Sequence, residues 1–123
     1  MTAPTLPNSE LAVMKLLWRK GRLTARQILE LLYPDTSRPQ HGTVQRLLQR
    51  LEAKGFVTRD RGLGVNLFSP AVSRESYASG QLESLVDRLG GGSLVPMVTR
   101  LVEDNKLSRA EIEKLRRILE EEK

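Results

Sequence analysis

Gly42-Thr-Val-Gln-Arg-Leu-Leu-Gln-Arg-Leu-Glu-Ala-Lys54 carries apolar side chains at Val44, Leu47, Leu48 and Leu51, the i, i+3, i+4, i+7 spacing of a helix with one buried face. Gly55 follows as its stop signal. The opposite face presents Thr43, Arg46, Gln49 and Arg50, with Gln45 at its margin and no acidic residue before Glu52. Arginine pairs bidentately with guanine in a major groove, glutamine pairs with adenine, and threonine bonds a base edge or touches a thymine methyl. An ordinary solvated face has the same polarity, so the meaning of this helix rests on its neighbours.

Upstream, Leu11, Met14, Leu17 and Trp18 mark a first helix with Ser9 as the expected N-cap and Gly21 as its end. Arg22-Leu23 reads as a very short strand. Thr24 caps a second short helix whose apolar side is Ile28, Leu29, Leu31 and Leu32, closed by Pro34. Asp35 to His41, with Pro39, is a connection. Downstream, Phe56-Val-Thr58 begins one strand, Asp60 to Gly64 is a turn, and Val65 to Phe68 is a second strand. Three helices and a hairpin in about 60 residues are the plan of a winged helix-turn-helix, in which the last helix reads DNA. Arg59 and Arg61 flank the hairpin tip, where they can meet a phosphate backbone or a minor groove, or simply solubilise the turn. His41 is expected to be an exposed loop residue, and Trp18 and Phe56 to be core.

Beyond Pro70 the pattern is helical only. Tyr77, Leu82, Leu85, Val86 and Leu89 mark a helix from Ser73 to about Leu89, broken by Gly90-Gly91-Gly92. Leu94, Val98, Leu101 and Val102 mark a second helix from Ser93, with Pro96 in its first turn. Ile112, Leu115, Ile118 and Leu119 mark a third, opened by the capping box Ser108-Arg-Ala-Glu111. About 50 residues in three short helices bury too little apolar surface to stand alone, so Leu82, Leu85, Leu89, Leu94, Val98, Leu101, Ile112, Leu115, Ile118 and Leu119 are expected to pair with a second copy. The expected fold is thus mainly α with a small β-hairpin: a winged domain at residues 1–72 and a three-helix dimerisation domain at 73–123.

Charge follows the same division. Up to Val72 there are 11 Lys/Arg against 5 Asp/Glu, and beyond it 9 against 10, so the net charge of +5 is carried by the winged half. With 39% hydrophobic and 28% charged residues the chain is not disordered by composition, and its apolar runs are too short to insert in a membrane. Met1 to Asn8 reads as a short loose leader without the features of a signal peptide, so a cytoplasmic location is expected. No cysteine and a single histidine exclude disulfides, thiolate zinc sites and cysteine nucleophiles, and no cofactor is expected.

Leu11-Ala-Val-Met-Lys-Leu-Leu-Trp18, Thr43 to Leu51 with Lys54-Gly55, and Gly91-Gly92 followed by Glu111-Ile-Glu-Lys-Leu115 resemble the penicillinase-repressor family of BlaI, MecI and CopY-like regulators over nearly the whole chain. The resemblance implies a homodimeric repressor that binds promoter operators in double-stranded DNA, and it carries a DNA-contact role to Thr43 and Arg50. Gly42 and Gln45 stand where the penicillinase repressors tend to have basic residues, and Arg46 where they usually have threonine, which implies a different operator. In the antibiotic-resistance members a membrane-bound sensor protease cuts an Asn-Phe bond in the second C-terminal helix; by the resemblance Arg100-Leu101 stands there in this chain, so that site is not carried over, while a membrane-bound sensor protease stays open as a partner. The cysteine cluster of the copper-responsive branch is absent. Two other readings stay open from the residues alone: a winged module that binds protein, and an enzyme, the latter disfavoured because neither Gly62-Leu-Gly64 nor the glycine triplet has the strand-to-helix setting of a phosphate-binding loop.

Overall fold

The computed structural model describes residues 5–34, 40–62 and 64–122. The expected connection around Pro39 and the first four residues of the leader lie outside them. The elements are α1 (Asn8–Lys20), β1 (Leu23–Thr24), α2 (Ala25–Leu32), α3 (His41–Ala53), β2 (Val57–Asp60), β3 (Leu67–Pro70), α4 (Arg74–Leu89), α5 (Val95–Glu103) and α6 (Arg109–Glu121). They form two compact units, Met1–Ser84 and Leu85–Lys123, so the structural division falls inside α4.

The first unit is a winged helix-turn-helix. Val13, Met14 and Leu17 of α1, Ile28 of α2, Val44, Leu48 and Leu51 of α3 and Phe68 of β3 are almost fully buried in one core. Ser9 does not cap α1: the helix begins two residues earlier with Pro7 as N-cap, without a side-chain capping bond, and the Leu11 N–H donates to Pro7 O. Nor is the leader loose from Leu6 onward, because Leu6 is buried and its N–H donates to Tyr77 Oη at 2.9 Å. Thr24 caps α2 as expected, in a full capping box with Gln27. Leu31 is exposed rather than core, since Ala25, Ile28, Leu29 and Leu32 fix the inner side and Leu31 lies about 110° round the helix from its centre.

The hairpin is part of a three-stranded antiparallel sheet in the order β1-β3-β2. Leu23 pairs with Phe68, and Val57 to Asp60 pair with Pro70 to Leu67. β3 starts two residues later than the local pattern suggests: pairing on both edges sets its register, turns Phe68 inward and leaves Val65 outside the ladder. α3 ends in a Schellman motif, with Gly55 at φ 81°, the Gly55 N–H bonded to Glu52 O and the Phe56 N–H to Leu51 O. That turn drops Phe56 into the core and starts the wing. The first part of α4 is fixed to the same unit: Tyr77 packs on Trp18 and Phe56, and Trp18 Nε1–H donates to Val72 O at 2.8 Å.

In the second unit, α5 has Pro96 in its first turn and α6 has the full Ser108/Glu111 capping box, yet neither helix contains a buried residue.

Candidate nucleic-acid interface

α3 divides as its sequence implies. Val44, Leu47, Leu48 and Leu51 are at most 4% exposed, whereas Gln45, Arg46, Gln49 and Arg50 are exposed and Thr43 is half-buried. The helix runs from His41 to Ala53, one residue earlier than expected, and His41 is exposed within its first turn. Among the described residues, Gln45, Arg46, Gln49 and Arg50 have no hydrogen bond or ion pair from their side chains. Thr43 Oγ1–H donates to Gln40 Oε1 at 3.0 Å, so its oxygen and methyl are the groups left to meet a ligand. Gln40, the N-cap, makes no side-chain bond to the helix amides, and the first turn has no acidic residue. The positive end of the helix dipole is therefore not offset locally.

The helix is anchored at its other end by two ion pairs that have no signature in the linear pattern. Lys54 Nζ lies 2.5 Å from Glu10 Oε1, whose side chain is 2% exposed, and this joins the end of α3 to the start of α1. Arg59 Nη2 lies 2.6 Å from Glu52 Oε1, and its guanidinium sits 5.6 Å from the Phe68 ring centroid. Of the two wing arginines expected to approach DNA, Arg59 is thus already held at the base of the hairpin. Arg61 is looser: it is exposed and its Nε–H donates to Asn66 Oδ1 at 3.2 Å. Asp60 takes Arg22 Nη2 at 2.9 Å and the Gly62 N–H at 3.0 Å, which shapes the turn after β2. Thr43, Gln45, Arg46, Gln49 and Arg50 share one helix, and Arg59 and Arg61 share the wing that follows it.

The residues expected to associate copies are exposed without exception. On α4, Leu82, Leu85 and Leu89 are 48, 37 and 66% exposed. In the second unit Leu94, Val98, Leu101, Ile112, Leu115, Ile118 and Leu119 range from 37 to 67%. Several of them line a nearly wholly apolar groove of about 530 Å³ between α5 and α6. No helix among the described residues is long and apolar enough to cross a membrane.

The family profile described as "Penicillinase repressor" matches residues 6–121. A penicillinase repressor of Bacillus licheniformis is 31% identical over 121 residues, covering 98% of this chain and 93% of its own. The methicillin resistance regulatory protein MecI of Staphylococcus aureus (strain N315) is 26% identical over 114 residues, covering 93% of this chain and 92% of its own. The solution structure of the DNA-binding domain of the repressor BlaI superposes with a TM-score of 0.52 at 24% identity, over 63% of this chain and 94% of that one. The monomeric form of Bacillus licheniformis BlaI in complex with the blaP half-operator superposes with a TM-score of 0.51, also at 24% identity, over 62% of this chain and 92% of its own. The structural likeness is one of fold.

Proposed function

The chain belongs to the penicillinase repressor family, and on that premise we propose that it is a transcriptional repressor that binds a specific, pseudo-palindromic operator as a homodimer. One observation carries the proposal: α3 turns a fully buried stripe inward and holds Gln45, Arg46, Gln49 and Arg50 outward with no partner among the described residues. Side chains of this chemistry, unspent on the protein itself, are what base-edge readout requires. Thr43 reads through its methyl or oxygen. Arg61 suits a phosphate, as does Arg59 where it leaves or shares Glu52. The Bacillus licheniformis relative supports this reading, being named a penicillinase repressor, and one BlaI structure holds a half-operator.

Residues 1–72 are proposed to read DNA and residues 73–123 to associate copies. α5 and α6 contain no buried residue in a lone chain, and a second copy seated on Val98, Leu101, Leu115 and Ile118 removes that apolar surface from water. A dimer offers two copies of α3 to half-sites about 34 Å apart. Such a repressor works in the cytoplasm, where the chromosome is.

Anisotropy titration of the chain against a duplex selected from a random library, beside a scrambled duplex, tests the reading. A specificity ratio of about 10³ or more is expected at physiological salt. Equal affinity for both duplexes, or a double Arg46→Ala, Arg50→Ala variant that binds as tightly as the parent, rejects it.

A further inference from the structure

We infer that Gly42 is a specificity-determining position: by carrying no side chain it leaves the first turn of α3 open to the Arg46 guanidinium, which reads guanine from that end of the helix. The inference rests on the DNA-reading assignment above.

Long side chains on a helix lean toward its N-terminus, over the residue four positions earlier. Arg46 does so. A Cβ built on Gly42 would lie 3.5 Å from Arg46 Nη1, an ordinary contact distance, so a methyl group fits beside the guanidinium and a longer side chain leaning the same way would compete with it for that space. The backbone does not call for glycine here. The positive-φ glycines among the described residues are Gly21, Gly55, Gly64, Gly90 and Gly92, and Gly42 is not one of them. Its consequence is therefore spatial rather than conformational.

Three further observations give that space a use. Arg46 and Arg50 stand four residues apart on one face, a like-charge arrangement that favours separation, and Gly42 gives Arg46 a place away from Arg50. The first turn of α3 contains no carboxylate to hold a guanidinium, whereas Arg22, Arg26, Arg59 and Arg61 are each tied to a neighbouring side chain. Reading helices of this type contact base edges with their N-terminal residues, so the turn that Arg46 occupies is the one that meets the groove. A planar donor fork there matches the O6 and N7 acceptors of guanine.

The test is selection of bound duplexes from a random library by the parent chain and by Gly42→Ala, Gly42→Leu and Arg46→Ala variants, followed by affinity measurements that include the Gly42→Leu, Arg46→Ala double variant. The parent is expected to select a guanine at one half-site position, and Arg46→Ala to relax it by about 10-fold or more. Gly42→Leu should relax the same position, Gly42→Ala should keep it, and the double variant should match Arg46→Ala within about twofold. Two results overturn the Gly42 assignment alone: Gly42→Leu keeping the parental preference, or Gly42→Leu weakening binding equally with and without Arg46→Ala, which marks a clash with DNA. A parent chain that selects no sequence overturns the DNA-reading assignment and this inference with it. Gly42 is exposed, so the variants should melt no lower than the parent; Gly42→Gln repeats the test with a side chain of similar reach if Gly42→Leu does not fold.

Discussion

Glu10 is nearly completely buried and, among the described residues, its one charged partner is Lys54, itself about one-third exposed. Removing Lys54 leaves a carboxylate out of water with nothing to neutralise it. Lys54→Ala is therefore expected to cost about 3 kcal/mol, the low end for breaking a buried pair, whereas Glu10→Gln, which removes the charge and keeps the shape, should cost about 1 kcal/mol. Urea unfolding at one fixed protein concentration measures both, and equal losses would show that packing rather than charge holds this contact. At the wing, Arg61 is exposed and weakly held. If it meets a phosphate, Arg61→Ala should lower affinity by a similar factor on every duplex and flatten the slope of log affinity against log salt by about 1. An unchanged slope across a salt series would remove Arg61 from the interface. Arg59 differs because Glu52 and the Phe68 ring already hold it, a use that alternation and charge pattern could not reveal.

At the scale of single elements, caps distinguish what local sequence specifies from what it merely permits. Thr24 closes a reciprocal box with Gln27 over α2, which has only eight residues, so Thr24→Ala should lower stability by about 1 kcal/mol. Ser9 has the same residue type in front of a similar apolar stripe but makes no cap, so Ser9→Ala should change the unfolding midpoint hardly at all. Paired chemical denaturation of the two variants checks the contrast, and a comparable loss in both would contradict the assignment of Pro7 as the N-cap. What separates the two serine-like signals is tertiary: burial of Leu6 and its bond to Tyr77 Oη fix where the chain enters α1, and Tyr77 lies 71 residues away. The same holds for β3, whose register follows from pairing with both β1 and β2 rather than from the alternation of Val65 to Phe68.

The whole molecule is asymmetric in how it is stabilised. The first unit has a closed core of side chains from α1, α2, α3 and the sheet, while α5 and α6 expose their apolar stripes. If these stripes form the proposed dimer seam, a paired Leu115→Glu, Ile118→Glu substitution should leave the first unit folded and convert dimer to monomer by light scattering. It should also weaken binding to a two-half-site operator by about 10²-fold, the lower range of what a second tethered contact contributes. Binding to a single half-site should hardly change. A dimer that survives both charges would place the interface elsewhere.

Helix existence, the buried stripe of α3, the polar face opposite it, the cap at Thr24, the box at Ser108 and the glycine stops were all legible along the chain, because each depends on side chains within about four residues of one another. That local information covers the winged plan and the side chains that α3 turns outward. Folding settled what depends on distant partners: the start of α1, the register of β3, the division of the chain inside α4, and which arginines stay free. Two arginines on a sequence look alike. Only after Glu52 and Phe68 have been brought to Arg59, and none of the described residues to Arg46, does one become part of the scaffold and the other an open hand, since an ion pair or ring contact needs its partner within a few ångströms in space, whatever their separation along the chain.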